Sequence, residues 1–355
     1  MNNDLNTALS DGSLEHVLGT YLSVQWSRPV QVVELKRLAG GASRETWAFD
    51  AVTRVETDPP GVPDRRMPLI MRRDFKRNLL DGKLQDEFRL LNKLHQRGLP
   101  IPRPYCSDNG ESAALTPFMI TERVPGTDLR KALARAGNTL DRRGLGHRLV
   151  ELQAAIHRLV WCEDLADVLP LPLKSVATQE IEHWATIFET QGPVSRPIVA
   201  AALAWLRSNV LADAEICLLH GDFKANNLLF APDGTHDGRV WIIDWEMAHL
   251  GDPLEDLAWT LLWTTNDDLI GGLLSKAEYL AAYKVITNRA VDRRRLFYWE
   301  LFSLVKLAAI FVSGVRPTAD QAPARPMLAM LARGLPVLER DLARRLHMAL
   351  AEWPT

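Results

Sequence analysis

The feature that most constrains this chain is a polar loop enclosed by two apolar runs, LLHGDFKANNLLF at residues 218–230. The pattern predicts a strand that ends at His220-Gly221-Asp222 and a second strand that begins after Asn227. A turn rich in Asp and Gly follows, and the apolar run VWII leads directly into Asp244. We therefore expect a β-hairpin that brings Asp222, Asn227 and Asp244 to one edge of a site.

Carboxylate and amide side chains in this order suit phosphoryl transfer, in which a protein mainly positions groups and neutralises phosphate charge. One carboxylate must face an acceptor hydroxyl. A second carboxylate and a neutral oxygen ligand must hold magnesium, which prefers oxygen ligands. Taken singly, Asp222 and Asn227 are more typical of ordinary turns. Their combination with Asp244 at this spacing favours the functional interpretation.

Three ordered motifs carry a specific resemblance: HGDxxxxN at 220–227, IID at 242–244 and GDPxxDLA at 251–258. Together they resemble the catalytic signature of the aminoglycoside phosphotransferase and choline kinase-like family, a variant of the protein-kinase signature. The resemblance covers nearly the whole chain in order, although only these motifs are sharp. It implies an α+β, protein kinase-like fold with a small β-rich N-terminal lobe and a mainly helical C-terminal lobe.

The resemblance also implies a role for each residue of the loop. Asp222 matches the catalytic base, and Asn227 and Asp244 match the magnesium ligands. Lys224 lies where protein kinases carry a lysine that contacts the transferred phosphate. His220 and Asp256 are expected to brace the loop, so the implied cofactors are ATP and Mg²⁺.

Hydrophobic periodicity predicts two domains that meet at the break Pro125-Gly126. Residues 1–124 form the expected nucleotide-binding lobe, and residues 125–355 form the expected catalytic and acceptor-binding lobe. The predicted elements of the first lobe are strands at 31–38, 46–51, 68–72 and 115–124 and a helix at 81–98. The predicted helices of the second lobe lie at 145–160, 198–211, 252–263, 276–287, 291–312 and 326–353.

A kinase needs a cation on its third strand, paired with a carboxylate on the following helix. Glu87 is the candidate carboxylate. In the strand LIMRR, Arg72 fits the cation position by alternation, and Arg73 is the alternative. Arginine here departs from the common Val-Ala-Ile-Lys pattern, but its guanidinium can hold phosphate bidentately.

Two further segments are expected to contact the nucleotide. The turn that contains Gly40, Gly41 and Ser43 lies between the first two predicted strands, where glycine allows close approach of the backbone to phosphate. A plain hairpin turn is the alternative interpretation. The segment TERV resembles the kinase hinge, so adenine is expected to bind backbone groups of Glu122 and Val124. ATP and GTP both remain open as donors.

The acceptor is expected to be a small molecule with a hydroxyl group. The segment from Asp244 to Gly251 is too short for the activation loop on which protein substrates dock. Several aromatic side chains of the second lobe could line an apolar pocket, although core packing is the simpler explanation. They are Trp184, Trp259, Trp263, Trp299 and Phe302.

The motifs GGASRETW and DWEMAHLGDP resemble the subgroup related to the kinase-like domains of acyl-CoA dehydrogenase family 10 and 11 proteins. That likeness implies a hydroxy acid or a hydroxyacyl thioester as acceptor. The stretch DRRRL at 292–296 argues against the strongly acidic pocket that a polycationic aminoglycoside would favour. An antibiotic O-phosphotransferase is the alternative, and a non-catalytic nucleotide-binding pseudokinase is the alternative of another class.

Composition excludes some partners. The formal net charge is −2, so no basic excess indicates nucleic-acid binding. No apolar run reaches the ~20 residues that cross a bilayer. The N-terminus lacks the pattern of a secretory signal, so a cytoplasmic location is expected. A monomer or a homodimer is expected. The cysteines, Cys106, Cys162 and Cys217, have no metal-binding or disulfide spacing and are expected to be core thiols.

Overall fold

The chain divides into two units, Met1–Pro125 and Gly126–Thr355. The computed structural model describes residues 11–38, 44–53, 65–74, 84–111, 115–136, 140–160, 165–191, 196–212, 215–232, 238–262, 264–265, 268–269, 273–315 and 332–353.

A five-stranded antiparallel sheet organises the first unit, with the strand order β1-β2-β3-β5-β4. Its strands are β1 (Val30–Arg37), β2 (Arg44–Thr53), β3 (Arg65–Asp74), β4 (Pro104–Asp108) and β5 (Phe118–Glu122). The predicted strands are confirmed, and β3 extends beyond the predicted 68–72 because all ten of its residues pair with β2.

Two helices belong to this unit. Helix α2 (Leu84–Gln96) confirms the predicted amphipathic helix. Helix α1 (Asp11–Trp26) is an element that the sequence analysis did not predict. Its buried Leu14, Leu18 and Leu22 recur every four residues, so they share one helix face and join the apolar cluster under the sheet.

The second unit is mainly helical. Its helices are α3 (Leu129–Arg135), α4 (Arg142–His157), α5 (Val176–Gln191), α6 (Pro197–Ser208), α7 (Pro253–Leu262), α8 (Lys276–Thr287), α9 (Arg293–Val315) and α10 (Leu335–Glu352). Helix α8 begins and ends at the predicted residues, and a capping box between Ser275 and Glu278 fixes its start. Helices α3 and α5 were not predicted.

Short strands of the second unit hold the polar loop at residues 220–227, which we call the motif loop. They are β6 (Thr127–Asp128), β7 (Cys217–Leu219), β8 (Leu228–Ala231), β9 (Arg239–Ile242), β10 (His249–Gly251), β11 (Thr264–Thr265) and β12 (Asp268–Leu269). One sheet has the order β6-β8-β9, and β7 pairs with β10 in another. The predicted hairpin is β8–β9, which is antiparallel.

Burial agrees with the interpretation of the cysteines as core thiols. Cys106 and Cys217 are free and buried, and burial raises the pKa of the Cys106 thiol to about 12. Cys162 lies outside the described residues. Over the described part of the chain, no helix combines the length and the apolarity required to traverse a bilayer.

Candidate active site

The β8–β9 hairpin places two of the predicted ligand residues at the same end. Leu228 pairs with Ile242, and the backbone N–H of Ile243 donates to the Asn227 carbonyl oxygen over 2.9 Å. Asn227 and Asp244 are therefore neighbours across the hairpin. Asp244 has a φ of +70°, a left-handed conformation that costs energy for a residue other than glycine. The strand thus turns sharply at the predicted metal ligand.

The Asp222 carboxylate is held by donors from several directions. The Lys224 Nζ lies 2.7 Å from Oδ1 and 2.8 Å from Oδ2. The indole Nε1–H of Trp259 donates to Oδ1 over 2.8 Å, and the Asn227 Nδ2 donates to Oδ2 over 2.6 Å. Asp222 is only 8% exposed. Its carboxylate is therefore fixed in one orientation, as a positioned base requires.

The hydrogen bonds of Asn227 also assign its amide orientation. Its Nδ2 donates both to the Asp222 carboxylate and to the Asp222 backbone carbonyl, the latter over 3.0 Å. Both partners accept hydrogen bonds only, so the nitrogen must face them. The amide oxygen is then the atom that Asn227 can present to a cation. With the Asp244 carboxylate at the same end of the hairpin, this oxygen donor set fits magnesium.

Lys224 was predicted to contact the transferred phosphate. In the structure its ammonium group forms an ion pair with Asp222, and the Lys224 side chain is 23% exposed. A partly exposed lysine can reach a phosphate by a change of rotamer. The phosphate role of Lys224 therefore stays a prediction, and its pairing with Asp222 is an observation that the sequence analysis did not anticipate.

Gly221 is forced into its conformation by close packing. Its φ is +76°, and a Cβ atom at this position would overlap the carbonyl oxygen of Met247. The Gly221 carbonyl accepts a hydrogen bond of 3.0 Å from the Nζ of Lys306, which is 2% exposed. That ammonium also lies 4.8 Å from the centre of the Trp259 ring. Lys306 thus bonds the Gly221 peptide that precedes Asp222. It also packs on Trp259, which donates to the Asp222 carboxylate.

His220 stabilises the loop as a neutral ring. The Asp222 backbone N–H donates to its Nδ1 over 3.2 Å, so Nδ1 must be unprotonated. Nε2 therefore carries the proton and donates to the Ile243 carbonyl over 3.1 Å. Because the ring is completely buried, the pKa of His220 lies below its ordinary value. The bond to Ile243 ties the loop to the strand that ends at Asp244.

Asp256 holds the same loop from helix α7. Its Oδ1 accepts from the Gly221 backbone N–H over 2.9 Å, and its Oδ2 accepts from the His220 N–H over 3.3 Å. His157 completes the shell through Nε2, which lies 3.1 Å from Oδ2. Burial opposes the charged form of Asp256, but the hydrogen bond from His157 and the other hydrogen bonds that it accepts favour that form, so its pKa is lowered.

An ion-pair cluster in the first unit contains the predicted cation and carboxylate. Arg72 Nη1 donates to Glu87 Oε1 over 2.8 Å. Arg44, which is 4% exposed, forms an ion pair with the other Glu87 oxygen and bonds Asp74 Oδ1 over 2.9 Å. Arg73 instead bonds Glu45 Oε2 over 2.5 Å. Of the two arginines left open by the sequence, Arg72 is therefore the one paired with Glu87.

The remaining predicted nucleotide contacts are only partly described. Gly40, Gly41 and Ser43 lie outside the described residues. The Glu122 backbone N–H donates to the Arg103 carbonyl over 2.8 Å, so its carbonyl is the backbone group that it can present to adenine. Val124 follows strand β5 and is 7% exposed.

The sequence analysis considered Trp259 only for an acceptor pocket and missed Lys306 and Arg44 as parts of the candidate site. The first two lie on helices α7 and α9, and their apolar surroundings resemble ordinary core positions. A lysine inside the long apolar helix 293–315 was the available signal, because lysine is rarely buried without a partner.

The aromatic side chains considered for an acceptor pocket are core residues. All those that the structure describes are at most 4% exposed, so they present almost no surface to a ligand. These residues are Trp184, Trp259, Trp299 and Phe302. Trp263 lies outside the described residues.

This fold and the order of the site motifs resemble those of kinase-type phosphotransferases. The sequence model of the phosphotransferase enzyme family matches residues 34–297, and the chain belongs to that family.

Solved structures confirm the expected protein kinase-like α+β fold. A Ralstonia eutropha protein provisionally classed as an aminoglycoside phosphotransferase aligns with a TM-score of 0.71 at 18% identity, over 94% of this chain and 98% of that one. A thermostable mutant of aminoglycoside phosphotransferase APH(4)-Ia, in complex with ADP and hygromycin B, aligns with a TM-score of 0.55 at 16% identity. That alignment covers 95% of this chain and 99% of the other.

The expected likeness to acyl-CoA dehydrogenase family 10 and 11 proteins is also confirmed. Family member 11 from Rattus norvegicus is 30% identical over 185 residues, which are 50% of this chain and 22% of that protein. The chain thus spans about a fifth of the length of this relative. A 3-deoxy-D-manno-octulosonic acid kinase from Actinobacillus succinogenes is 30% identical over 150 residues, 40% of this chain and 60% of that kinase.

Proposed function

We propose that this protein transfers the γ-phosphoryl group of ATP, with Mg²⁺, to a hydroxyl group of a small molecule. The observation that carries the proposal is the fixed Asp222 carboxylate beside Asn227 and Asp244. A buried carboxylate oriented by several donors is suited to accept a proton at a defined position. An ordinary turn aspartate needs no such shell.

The proposed reaction assigns one task to each group. The acceptor oxygen attacks the γ-phosphorus, its proton passes to an Asp222 oxygen, and the bond to the β-phosphate oxygen breaks to release ADP. Asn227 and Asp244 would hold magnesium, which supplies neutralising charge to the phosphates when bound. Lys224 would turn from Asp222 towards the transferred phosphoryl group. Arg72, held by Glu87, would bind a phosphate of the donor.

The proposed acceptor class is a hydroxy acid or a hydroxyacyl thioester. Two likenesses support this choice: the relatives in acyl-CoA dehydrogenase family 11 and the kinase whose name specifies a sugar acid. The segment between Asp244 and Gly251 is short, which suits a small acceptor. Aminoglycosides form the comparison class, because the structural neighbour APH(4)-Ia was solved with hygromycin B.

Calorimetry tests the nucleotide site before any acceptor is known. Wild-type protein should bind ATP in a magnesium-dependent manner, and Asp244→Ala should abolish that dependence. Asp222→Asn should retain magnesium-dependent binding, because the base is not needed for it. If neither ATP nor GTP binds the wild type, the proposal is wrong.

Turnover then tests the role of Asp222. Hydroxy acids, hydroxyacyl thioesters and aminoglycosides would be screened by ADP release. With the acceptor that is found, Asp222→Asn should lower kcat by ~100-fold or more. Full activity in Asp222→Asn would remove the assigned base, and preference for aminoglycosides would overturn the proposed acceptor class. Nucleotide binding without turnover on any acceptor would indicate a pseudokinase.

A further inference from the structure

A cluster of side chains without an assigned role lies beside the motif loop. It consists of Glu180 on α5, His249 on β10 and Glu255 on α7, and one potential ligand atom of each lies within 4.8 Å of the others. The His249 Nε2 is 3.3 Å from Glu255 Oε1 and 3.9 Å from Glu180 Oε1. None of these residues has a task in the proposed reaction.

Glu255 is the unusual member of this cluster. It is 2% exposed, and neither of its carboxylate oxygens has a hydrogen-bond partner among the described residues. A buried carboxylate without partners is costly, because water no longer stabilises its charge. The Lys306 ammonium is 3.8 Å away and donates its hydrogen bond to Gly221 instead. Lys306 thus gives Glu255 an ion pair without a hydrogen bond, and both carboxylate oxygens keep unused acceptor capacity.

The orientation of His249 places a second potential metal-ligand atom, its Nε2, in the same space. Its Nδ1 lies 2.9 Å from the Met247 carbonyl oxygen, which can only accept, so Nδ1 carries a proton. The Nε2 faces the carboxylates and has no hydrogen-bond partner within the described part of the chain. A backbone carbonyl that fixes the far nitrogen is the usual support of a metal-binding histidine. The Nε2 therefore lies towards two carboxylates, where it can carry a proton or bind a metal ion.

Either a proton or a metal ion on the His249 Nε2 can stabilise the buried carboxylates that face it. Two carboxylates approach the His249 Nε2, at 3.3 and 3.9 Å, so a positive charge is favoured there. A proton on Nε2, however, can serve one carboxylate oxygen well. A metal ion can bond His249, Glu180 and Glu255 together, so it satisfies more of the unpartnered atoms.

We propose that Glu180, His249 and Glu255 form a binding site for a divalent transition-metal ion. Four-coordinate zinc with bonds of ~2.1 Å separates neighbouring ligand atoms by about 3.4 Å. The observed separations from the His249 Nε2 are 3.3 and 3.9 Å, and all the ligand atoms lie within 4.8 Å of one another, so Glu180 would move inward on binding. One imidazole and two carboxylates select zinc or a similar ion over magnesium, which favours oxygen ligands alone.

The proposed metal ion would stabilise the motif loop without contacting the reacting groups. Met247 orients His249 through its carbonyl, and the same carbonyl oxygen packs against Gly221. A bound ion would tie strand β10 to helices α5 and α7 and so stabilise the backbone that supports Asp222. It is separate from the magnesium ligands proposed for catalysis.

The test uses the whole 355-residue chain, stripped with a chelator, dialysed, and titrated with Zn²⁺ by calorimetry in excess Mg²⁺. Wild type should bind one equivalent. His249→Gln and Glu255→Gln should weaken binding by at least tenfold, since each removes a ligand. Two controls should keep wild-type affinity: His147→Gln, which removes an exposed histidine elsewhere, and Asp244→Asn, which alters the magnesium site.

Circular dichroism would establish that each variant is folded. Glu180→Gln, at a residue whose side chain is 13% exposed, provides a third ligand variant if Glu255→Gln does not fold. Three results would overturn the proposal: no zinc binding by wild type, undiminished binding by His249→Gln, or binding that is lost in Asp244→Asn. The first would mean that a proton on His249 balances the cluster.

Discussion

The indole Nε1–H of Trp259 donates a 2.8 Å hydrogen bond to the Asp222 carboxylate, across 37 positions of sequence. Both residues are buried, so solvent cannot replace this bond readily. A core tryptophan thus fixes the orientation of the proposed catalytic base. The base is positioned by its tertiary surroundings as well as by its own loop.

Trp259→Phe tests this positioning. Phenylalanine keeps most of the buried ring surface and removes the N–H donor. Loss of one hydrogen bond to a charged group costs about 1.5–3 kcal/mol, so kcat should fall by roughly 10- to 100-fold. Magnesium-dependent ATP affinity, measured by calorimetry, should stay within about twofold. Unchanged kcat would show that Lys224 and Asn227 hold Asp222 without the tryptophan.

A matched pair of arginine variants tests which cation binds the phosphate donor. Arg72 pairs with Glu87, whereas its neighbour Arg73 pairs with Glu45 and lies over the Trp47 ring. Arg72→Met should weaken ATP binding by roughly 10- to 100-fold, the value of a lost charge-assisted contact. Arg73→Met is the control and should change the affinity little. The reverse ranking would assign the role to Arg73.

Two glycines with similar φ angles allow the energy cost of a left-handed backbone to be measured apart from the cost of steric overlap. Gly221 has a φ of +76° and faces the Met247 carbonyl, whereas Gly98 has a φ of +79° and no described atom within 4 Å of the position that a Cβ would occupy. Gly98→Ala should cost about 1–2 kcal/mol of unfolding free energy, the cost of a left-handed alanine. Gly221→Ala should cost clearly more and should also displace Asp222. Urea denaturation of both variants measures the difference, and equal losses would contradict the packing argument.

The buried neutral His220 predicts a pH effect on stability. Its folded pKa lies below the ordinary value of 6.5, so on acidification through 6.5 the unfolded chain takes up a proton that the folded chain rejects. This contribution to stability is present above pH 6.5 and is lost as the pH falls towards the folded pKa. His249, with its raised pKa, acts in the opposite direction.

The quantity to measure is the change in unfolding free energy between two pH values, compared between wild type and His220→Gln. Urea midpoints at about pH 7.5 and about pH 5.5 would be compared in metal-free buffer. Wild type should lose more stability than the variant over this interval, by at most about 1.4 kcal/mol per pH unit. A steeper loss in His220→Gln would mean that the ring is protonated in the folded protein.

Local spacing made much of the site predictable. Asp222, Asn227 and Asp244 lie within one loop and one hairpin, so chain connectivity alone brings them near each other. Their order carried the family resemblance, which the comparisons confirm. Helix periodicity likewise predicted α8 to the residue.

Other elements have weaker or ambiguous sequence signals. In α1, the leucines at four-residue spacing indicate a helix, but other apolar residues, among them Val17, Tyr21 and Val24, obscure the stripe. Alternation along β3 left Arg72 and Arg73 both open. The pairing with Glu87 could be decided only by the packing of α2 against the sheet, which places the carboxylate on one side.

The sequence by itself determined the chemical groups of the hairpin and their order along the chain. The tertiary structure decided what holds them. Lys306 reaches Gly221 across 85 positions, and His157 reaches Asp256 across 99. Such contacts depend on how separate helices pack, and buried polar groups accept only partners that arrive at hydrogen-bond distance. No local pattern encodes that distance, so the support from Lys306 and His157 emerged only from the folded chain.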